Sequence, residues 1–240
     1  MWYNPLDISK RVSKGDNPEL YESNLKEITT MAITLMQLKA LYECSAKKDI
    51  RPQLNGVYVR NDINYLTFKA TNGHCAMCFK DKRPLVTLSG KYLKDNPNSF
   101  KELFLPSDIL KVFFSVVKCT KANVEDSVNI HIFDNGEIIL KCGDKSLTVG
   151  MIKNEPIDYP NFSRIVNRFN EGAHLYATHQ FGLFKADVME VFEKYVPAFN
   201  KCGKFDIFAS KDGNLLAQTT DITEVNSYFI AMQYSYRVGV

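Results

Sequence analysis

Residues 51–79 constrain the fold most, because three short apolar segments alternate there with turn-forming residues. Each segment is too short for a helix and has the aliphatic and aromatic content that is typical of strands. The connecting turns contain Asn, Asp and Gly, which tolerate positive φ or bond their own backbone. We therefore predict three adjacent strands at 57–60, 65–70 and 75–79, with tight turns at 61–62 and 71–74.

The same order of elements recurs twice more along the chain. In each unit a predicted strand precedes a helix, and three further strands follow it. The helices are predicted at 34–44, 109–119 and 186–195, the last one ended by Pro197. Internal repetition of this length is typical of modular folds, in which two units bury their helices in a shared core. The remaining strands are predicted at 27–32, 103–105, 128–133, 138–142, 146–151, 175–182, 205–210, 215–219 and 227–234.

The repeat divides the chain into three parts. Residues 1–24 are polar, contain Pro5 and Pro18 and show no sustained period, so we predict an N-terminal arm or linker. Residues 25–165 hold two units and are predicted to form a complete domain, and residues 166–240 a third unit. The predicted fold class is α+β, with helices on one face of antiparallel sheets.

The composition is that of a globular protein, since 45% of the residues are hydrophobic and 24% are charged. No apolar run approaches the roughly 18 residues that a membrane-spanning helix needs, and no apolar signal segment stands near the N-terminus. We therefore expect a cytoplasmic protein without a membrane partner. The net charge of +3 is small for a protein that grips nucleic acid directly, so any DNA contact would depend on a few placed lysines.

One cysteine pair has the spacing of a metal or redox motif. Cys75 and Cys78 form a CxxC sequence next to His74, but the chain has no second ligand pair at zinc-binding spacing. A redox CxxC belongs at the start of a helix, whereas this pair lies in a predicted strand. We interpret both residues as structural cysteines and expect no metal site and no cofactor.

No sequence pattern indicates an enzyme. The chain lacks the nucleophile elbow, the phosphate-binding loop and the HExxH helix, and its four histidines are scattered. Residues 158–162 could form a loop that presents the carboxylate of Asp158, but an extended connector with buried aromatic residues is the simpler interpretation. We predict a protein without catalytic residues.

Lysines recur on or just after each predicted helix, opposite its apolar face. A solvated helix face explains such lysines without any function. The functional alternative is a surface that meets DNA phosphates without sequence specificity and with salt-sensitive affinity. The lysines concerned are Lys39, Lys47, Lys48, Lys111, Lys118, Lys121, Lys185, Lys194 and Lys201.

Five segments resemble motifs of the bacterial DNA polymerase III β subunits, the sliding clamps. Residues 51–57 (RPQLNGV) resemble the clamp strand that contains LNG, and residues 70–74 (ATNGH) resemble the turn ATDGHR. Residues 103–110 (LFLPSDIL) resemble the helix start with VPRK, and residues 158–164 (DYPNFSR) resemble FPDYRR, which leads to the next domain. Residues 228–233 (YFIAMQ) resemble the C-terminal YVVMPM. The first four segments follow the order and spacing of the middle domain of a clamp.

The resemblance implies a DNA-clamp fold, built from repeated β-α-β-β-β modules. Bacterial clamps of this family have three domains of two modules each, whereas this chain shows no counterpart of the first domain. Cys75 stands where these clamps have Arg, and Gln233 stands where they have Pro. A reduced clamp of this kind would suit a phage or a mobile element. A ring of twelve modules would need four such chains, so the implied assembly is a homo-oligomer, a tetramer if the ring closes.

The resemblance also implies a function. A sliding-clamp-like processivity factor encircles or lies along double-stranded DNA and tethers DNA polymerase and clamp-loader proteins through short peptides. The alternative is a monomeric clamp-like protein that binds or sequesters host replication proteins without encircling DNA. The residues that match the peptide-binding groove of clamps are Thr71, Gly73, His74, Cys75, Ala76, Pro106, Ile109, Leu110, Phe229, Ala231 and Met232. For Pro106, Ile109 and Phe229 the alternative is a place in the hydrophobic core.

Overall fold

A computed structural model gives the fold of the chain. The predicted arm at 1–24, the turn residue Asp62 and the strand predicted at 175–182 lie outside the residues that it describes. The described residues are 27–61, 65–81, 102–151, 157–162, 164, 166, 184–199, 206–209, 214–218 and 227–232.

The helices and strands follow the predicted order, and their positions agree with the predictions to within a few residues. The first module comprises β1 (Glu27–Thr34), α1 (Leu35–Cys44), β2 (Gly56–Asn61), β3 (Leu66–Thr71) and β4 (Cys75–Asp81). The second comprises β5 (Glu102–Pro106), α2 (Ser107–Val116), β6 (Ser127–Phe133), β7 (Glu137–Cys142) and β8 (Lys145–Met151). The third comprises α3 (Ala186–Phe199), β9 (Asp206–Ala209), β10 (Leu215–Gln218) and β11 (Tyr228–Ala231).

Two predicted helix ends are wrong. We predicted that α2 continues to Cys119, but it ends at Val116, because Val117 is extended with φ −104° and ψ 94°. Adjacent β-branched residues favour this early end, since their side chains crowd the preceding turn. We predicted that α3 ends before Pro197, but the helix continues to Phe199. A proline in the last turn of a helix removes one backbone hydrogen bond, which the preceding turns survive.

The start of α1 is fixed by a capping box. Oγ1 of Thr34 accepts a hydrogen bond from N of Gln37 at 3.2 Å, and Oε1 of Gln37 accepts one from N of Thr34 at 3.3 Å. The leucines at helical spacing that follow, Leu35, Leu38 and Leu41, are fully buried. The helix therefore lies against the sheets through this apolar face.

The strands form two antiparallel sheets. One has four strands in the order β1-β6-β7-β8, and the other has seven in the order β5-β2-β3-β4-β11-β10-β9. The first two modules exchange their first strands, since β1 pairs with β6 and β5 pairs with β2. Neither of these modules completes its sheet without the other.

The seven-stranded sheet joins the first module to the third. Strand β4 pairs with β11 over four residue pairs, from Cys75 opposite Ala231 to Cys78 opposite Tyr228. We call this pairing the seam. The sheet thus continues across residue 165, where we predicted the boundary between two parts of the chain.

The helices share one large core with both sheets. Helix α1 contacts both α2 and α3. Leu38 and Leu41 of α1 belong to the same buried cluster as Phe68 and Met77 of the first module and Ile130 of the second. Burial of a side chain of this size stabilises the fold by about 1.5–3 kcal/mol. The expectation that two modules bury their helices in a shared core is confirmed.

A smaller apolar cluster lies on the other face of the seven-stranded sheet. Side chains alternate along β4, so Cys75, Met77 and Phe79 belong to the large core, whereas Ala76 and Cys78 belong to the smaller cluster. The seam is therefore covered by apolar side chains on both faces.

Candidate functional site

The turn between β3 and β4 holds its own shape through local hydrogen bonds. Oδ1 of Asn72 accepts hydrogen bonds from N of His74 and N of Cys75, both at 2.9 Å. Oγ1 of Thr71 donates to the carbonyl of Cys75 at 2.6 Å and accepts from N of Gly73 at 3.1 Å. Gly73 has φ 87°, which glycine adopts without steric cost. The turn thus presents Gly73 and His74 to solvent in a fixed conformation.

The end of β11 lies directly beside this turn. N of Met232 donates a hydrogen bond to the carbonyl of His74 at 2.8 Å, one residue beyond the seam. This bond brings the C-terminal segment, which lies more than a hundred positions further along the chain, into contact with the turn.

The start of α2 is connected to the turn through Ala46. The carbonyl of Thr71 accepts a hydrogen bond from N of Ala46 at 3.2 Å, and the carbonyl of Ala46 accepts one from Oγ of Ser107 at 2.9 Å. Oγ of Ser107 also lies 2.9 Å from Oγ of Ser45. These buried bonds fix the first turn of α2 relative to the β3–β4 turn. The three predicted parts of the groove are therefore structurally linked.

Solvent reaches only some of the predicted groove residues. Met232 is 38% exposed, Gly73 and His74 are exposed, and Pro106 and Ile109 are half-buried. We call these five residues the junction surface. The other predicted residues are buried and do not reach solvent; they are Thr71, Cys75, Ala76, Leu110, Phe229 and Ala231.

Arg51 lies beside Gly73 of the junction surface, although it is not among the predicted groove residues. A Cβ atom on Gly73 would lie 3.3 Å from Nη2 of Arg51. The guanidinium binds Asp49 through two bonds of 2.9 Å, Nε to Oδ1 and Nη2 to Oδ2. Hydrogen bonds from Arg51 lower the pKa of Asp49 to about 2. The Asp-x-Arg spacing before Pro52 was visible, but nothing in the sequence placed it next to Gly73.

The side chains of the two CxxC cysteines lie on opposite faces of the sheet. Because strand side chains alternate, Cys75 lies in the large core and Cys78 in the smaller cluster, so the two thiols cannot ligate one ion. Cys75 instead contacts Cys44, with 3.3 Å between the sulfur atoms. Burial raises the pKa of the Cys44 thiol well above its usual range, and the Cys75 contact adds to this shift. Among the described residues, no group of three His, Cys, Asp or Glu side chains is placed to hold a metal ion.

Two of the predicted DNA-facing lysines are engaged within the protein. Nζ of Lys39 lies 2.9 Å from Oε1 of Glu43 and 4.8 Å from the ring centre of Tyr42. Nζ of Lys47 donates to the carbonyl of Tyr42 and lies 3.2 Å above that ring. Although Lys47 as a residue is exposed, desolvation of its ammonium lowers the pKa to about 8.

The other lysines are dispersed. Lys118 and Lys121 were predicted along α2, but they follow it, because the helix ends at Val116. Lys48, Lys111 and Lys194 are exposed, Lys185 is half-buried, and Lys201 lies outside the described residues.

The exposed helix faces are not basic. On α2 the exposed side chains are those of Asp108, Lys111, Val112, Ser115 and Val116, so the charges cancel and two valines face solvent. On α3, within the described side chains, the exposed charged residues are Asp187, Glu190, Glu193 and Lys194, three carboxylates against one ammonium. Such faces give duplex DNA little electrostatic attraction. No described helix is long and apolar enough to cross a membrane.

Several solved bacterial sliding clamps have a similar structure. The DNA polymerase sliding clamp from Pseudomonas aeruginosa matches with a TM-score of 0.54 at 12% identity, over 88% of this chain and 68% of that chain. The clamp from Bacillus subtilis matches with a TM-score of 0.53 at 13% identity, over 96% of this chain and 69% of that chain. The DnaN sliding clamp from Bartonella birtlesii, bound to griselimycin, matches with a TM-score of 0.51 at 12% identity, over 88% of this chain and 67% of that chain.

These similarities rest on structure. No protein-family model matches the chain, and no curated protein matches it in sequence. The chain spans about two thirds of the length of the clamps that it resembles. The antiparallel sheets, the module order and the helices on one sheet face agree with the fold implied by the sequence resemblance. The chain therefore has the fold of the DNA polymerase III β-subunit sliding clamps.

Proposed function

We propose that the protein is a sliding-clamp-like replication factor that binds short apolar peptides of DNA polymerase and clamp-loader proteins at the junction surface. The observation that supports this most is the 2.8 Å hydrogen bond from N of Met232 to the carbonyl of His74. It joins the backbone of Met232 to the turn, and the Met232 side chain is 38% exposed. A thioether of this kind adapts to varied apolar partners.

The chemistry of the junction surface suits a peptide with apolar anchors. Pro106, Ile109 and Met232 offer apolar contact area, while the backbone around Gly73 and the imidazole of His74 offer polar contacts. Small sites of this composition, with few polar groups among apolar ones, are typical of motif recognition. The role is that of a tether without catalysis.

The full clamp activity would place duplex DNA against the helices, without sequence preference. Residues 25–165 would then act as one complete domain and residues 166–240 as a third module, with residues 1–24 as an arm. Four chains would be needed to complete a ring of twelve modules.

The second candidate is a monomeric clamp-like protein that binds or sequesters replication proteins without encircling DNA. The charges on α3 favour it, because Asp187, Glu190 and Glu193 outnumber Lys194 on the exposed face. Lys39 and Lys47, whose ammonium groups are engaged within the protein, add little to a DNA-facing surface.

A binding titration tests the junction surface. A fluorescent peptide that contains an apolar clamp-binding motif should bind the native protein, and Met232→Asp should abolish this binding by placing a charge among the anchors. Ile207→Asp is the matched control, since Ile207 is 50% exposed on β9, beyond β10 and β11 from the turn. If the native protein does not bind the peptide, the proposal is wrong.

Solution mass separates the two candidates. Light scattering should give about four times the chain mass of 27.4 kDa for a ring, and one chain mass for the second candidate. Retention on circular but not on linear DNA would support encirclement.

A further inference from the structure

A buried aromatic ring belongs to the apolar cluster on the face of the seam that lies opposite the helices. Phe162 is 2% exposed and shares a buried cluster with Cys78 of β4, Ile230 and Tyr228 of β11, and Leu216 of β10. The cluster that contains Phe162 therefore includes side chains from both strands of the seam. His74 directly precedes β4 and Met232 directly follows β11, so both residues lie at the same end of the seam.

The position of Phe162 is itself fixed by its neighbours. Its ring packs edge-on against Tyr159, with 5.7 Å between the ring centres. Tyr159 stacks on Tyr58 of β2, with 4.7 Å between the centres and 5° between the planes. Nζ of Lys69 lies 5.8 Å from the ring centre of Phe162. Residues 157–162 thus connect the first module to the third across the sheet.

The seam needs such support, because it consists of only four residue pairs. A short two-strand pairing is marginal by itself and depends on packing against its faces. On the helix side, Phe229 of β11 stacks on Phe192 of α3 at 4.9 Å. On the other side, Phe162 belongs to the buried cluster that includes residues of both strands, and Tyr159 and Phe208 pack against this cluster.

We propose that Phe162 is a positioning residue for the partner peptide. It holds β11 against β4 and so keeps Met232 beside His74, although it is buried and touches no peptide. This inference rests on the proposed function. When the seam opens, the C-terminal wall of the junction surface moves away from the turn, and the binding-competent fraction of the protein falls.

Phe162→Ala tests the proposal. The apparent dissociation constant rises in inverse proportion to the competent fraction, so a seam that is paired one tenth of the time weakens peptide binding about tenfold. Cys78, which is 0% exposed and belongs to the same cluster as Phe162, reports the opening directly. Its reaction with a maleimide, located by mass mapping, should accelerate in Phe162→Ala, while Cys142 of the other sheet stays protected.

Two variants and one native-state measurement complete the experiment. Leu140→Ala removes a 0% exposed side chain from β7 in the other sheet, so it should lower stability without weakening peptide binding. Phe162→Leu keeps an apolar side chain on the seam and should retain most of the affinity. In the native protein, saturating peptide should slow the labelling of Cys78 relative to Cys142, because binding stabilises the paired seam.

The outcomes are distinct. A native protein that does not bind the peptide overturns the proposed function, and this inference with it. A native protein that binds, together with a Phe162→Ala variant of equal affinity and protected Cys78, overturns the inference alone. Equal weakening by Phe162→Ala and Leu140→Ala also overturns it, because the effect is then general stability. If Phe162→Ala does not fold, the effect of peptide on Cys78 labelling in the native protein decides.

Discussion

The sulfur atoms of Cys44 and Cys75 lie 3.3 Å apart, with both thiols buried beneath the β3–β4 turn. Cys44 ends α1, and Cys75 begins β4, so this contact joins the helix to the strand that leads out of the turn. An arginine at position 75, as in the clamps that the sequence resembles, would bring an uncompensated charge into this contact. The substitution therefore changes the interior of the protein beneath the junction surface.

The raised pKa of Cys44 predicts a pH-dependent contribution to stability. In the folded protein the thiol stays protonated, whereas in the unfolded chain it ionises above pH of about 8.5. The unfolded state then binds fewer protons, so the contribution of Cys44 falls as pH rises, by at most about 1.4 kcal/mol per pH unit.

Urea titrations at pH 7 to 10 measure this effect. The difference in free energy of unfolding between the native protein and Cys44→Ala should shrink above pH 8.5. Val57→Ala changes another fully buried site that has no titrating group. Its free energy of unfolding should therefore stay below that of the native protein by the same amount at every pH. A constant difference for Cys44→Ala would contradict the prediction.

Gly73→Ala should destabilise the turn. The backbone there has φ 87°, and an L-residue in the left-handed region costs about 1–2 kcal/mol. The new methyl group would also press on Arg51, 3.3 Å away. We expect the free energy of unfolding in urea to fall by that amount, and the affinity for the peptide to fall as well. Gly143→Ala is the control, since φ is 60° there and the added methyl meets nothing within 4 Å, so it should lose stability but keep its affinity. An unchanged stability for Gly73→Ala would contradict the strain argument.

Lys47 should titrate near pH 8. Desolvation of its ammonium lowers the pKa to about 8, so half of the amine is neutral at that pH. Competitive acetylation followed by mass spectrometry should give a reactivity midpoint near pH 8 for this residue. Lys39→Gln removes a nearby positive charge that adds to the lowering and should move the midpoint upward, toward the usual lysine value of about 10.4. A midpoint above pH 10 in the native protein would show that the ammonium remains hydrated.

Charge reversal on α3 should reveal whether this helix faces DNA. Glu190→Lys with Glu193→Lys converts an acidic face into a basic one. If DNA lies along the helix, affinity for duplex DNA rises and the salt dependence steepens, by about 0.9 in log–log slope per added phosphate contact. Asp134→Lys with Asp144→Lys makes the same charge change in the two exposed hairpin turns. Equal gains for both variants would mean that α3 has no special position relative to DNA.

The sequence predicted the fold well because its turns are explicit. Gly136 and Gly143 mark the β6–β7 and β7–β8 hairpins, and both have positive φ. The order of strands within the sheets was less accessible, since pairings such as Cys75 with Ala231 join segments that nothing local connects. The resemblance to clamps, and not the periodicity, placed the turn and the C-terminus together.

The candidate site was predicted only in outline. Phe229 and Ala231 are fully buried, because the alternation along β11 turns them into the large core. Their burial depends on which alternate side chains of β11 face the large core, and a short run of apolar residues does not show this. The acidic face of α3 is visible in the sequence as Asp187, Glu190 and Glu193 at helical spacing, although the lysines near this helix predicted a basic face.

The exchange of β1 and β5 between the first two modules has a consequence for biogenesis. Thr30 of β1 and its partner His131 of β6 are 101 residues apart in the chain. A ribosome must therefore deliver most of the second module before the first strand can be paired, and pairing over such distances is slow. During that interval β1 presents an open edge to other nascent chains. Truncation after the first module should consequently yield an aggregating fragment, so the shortest foldable piece of this protein contains both modules.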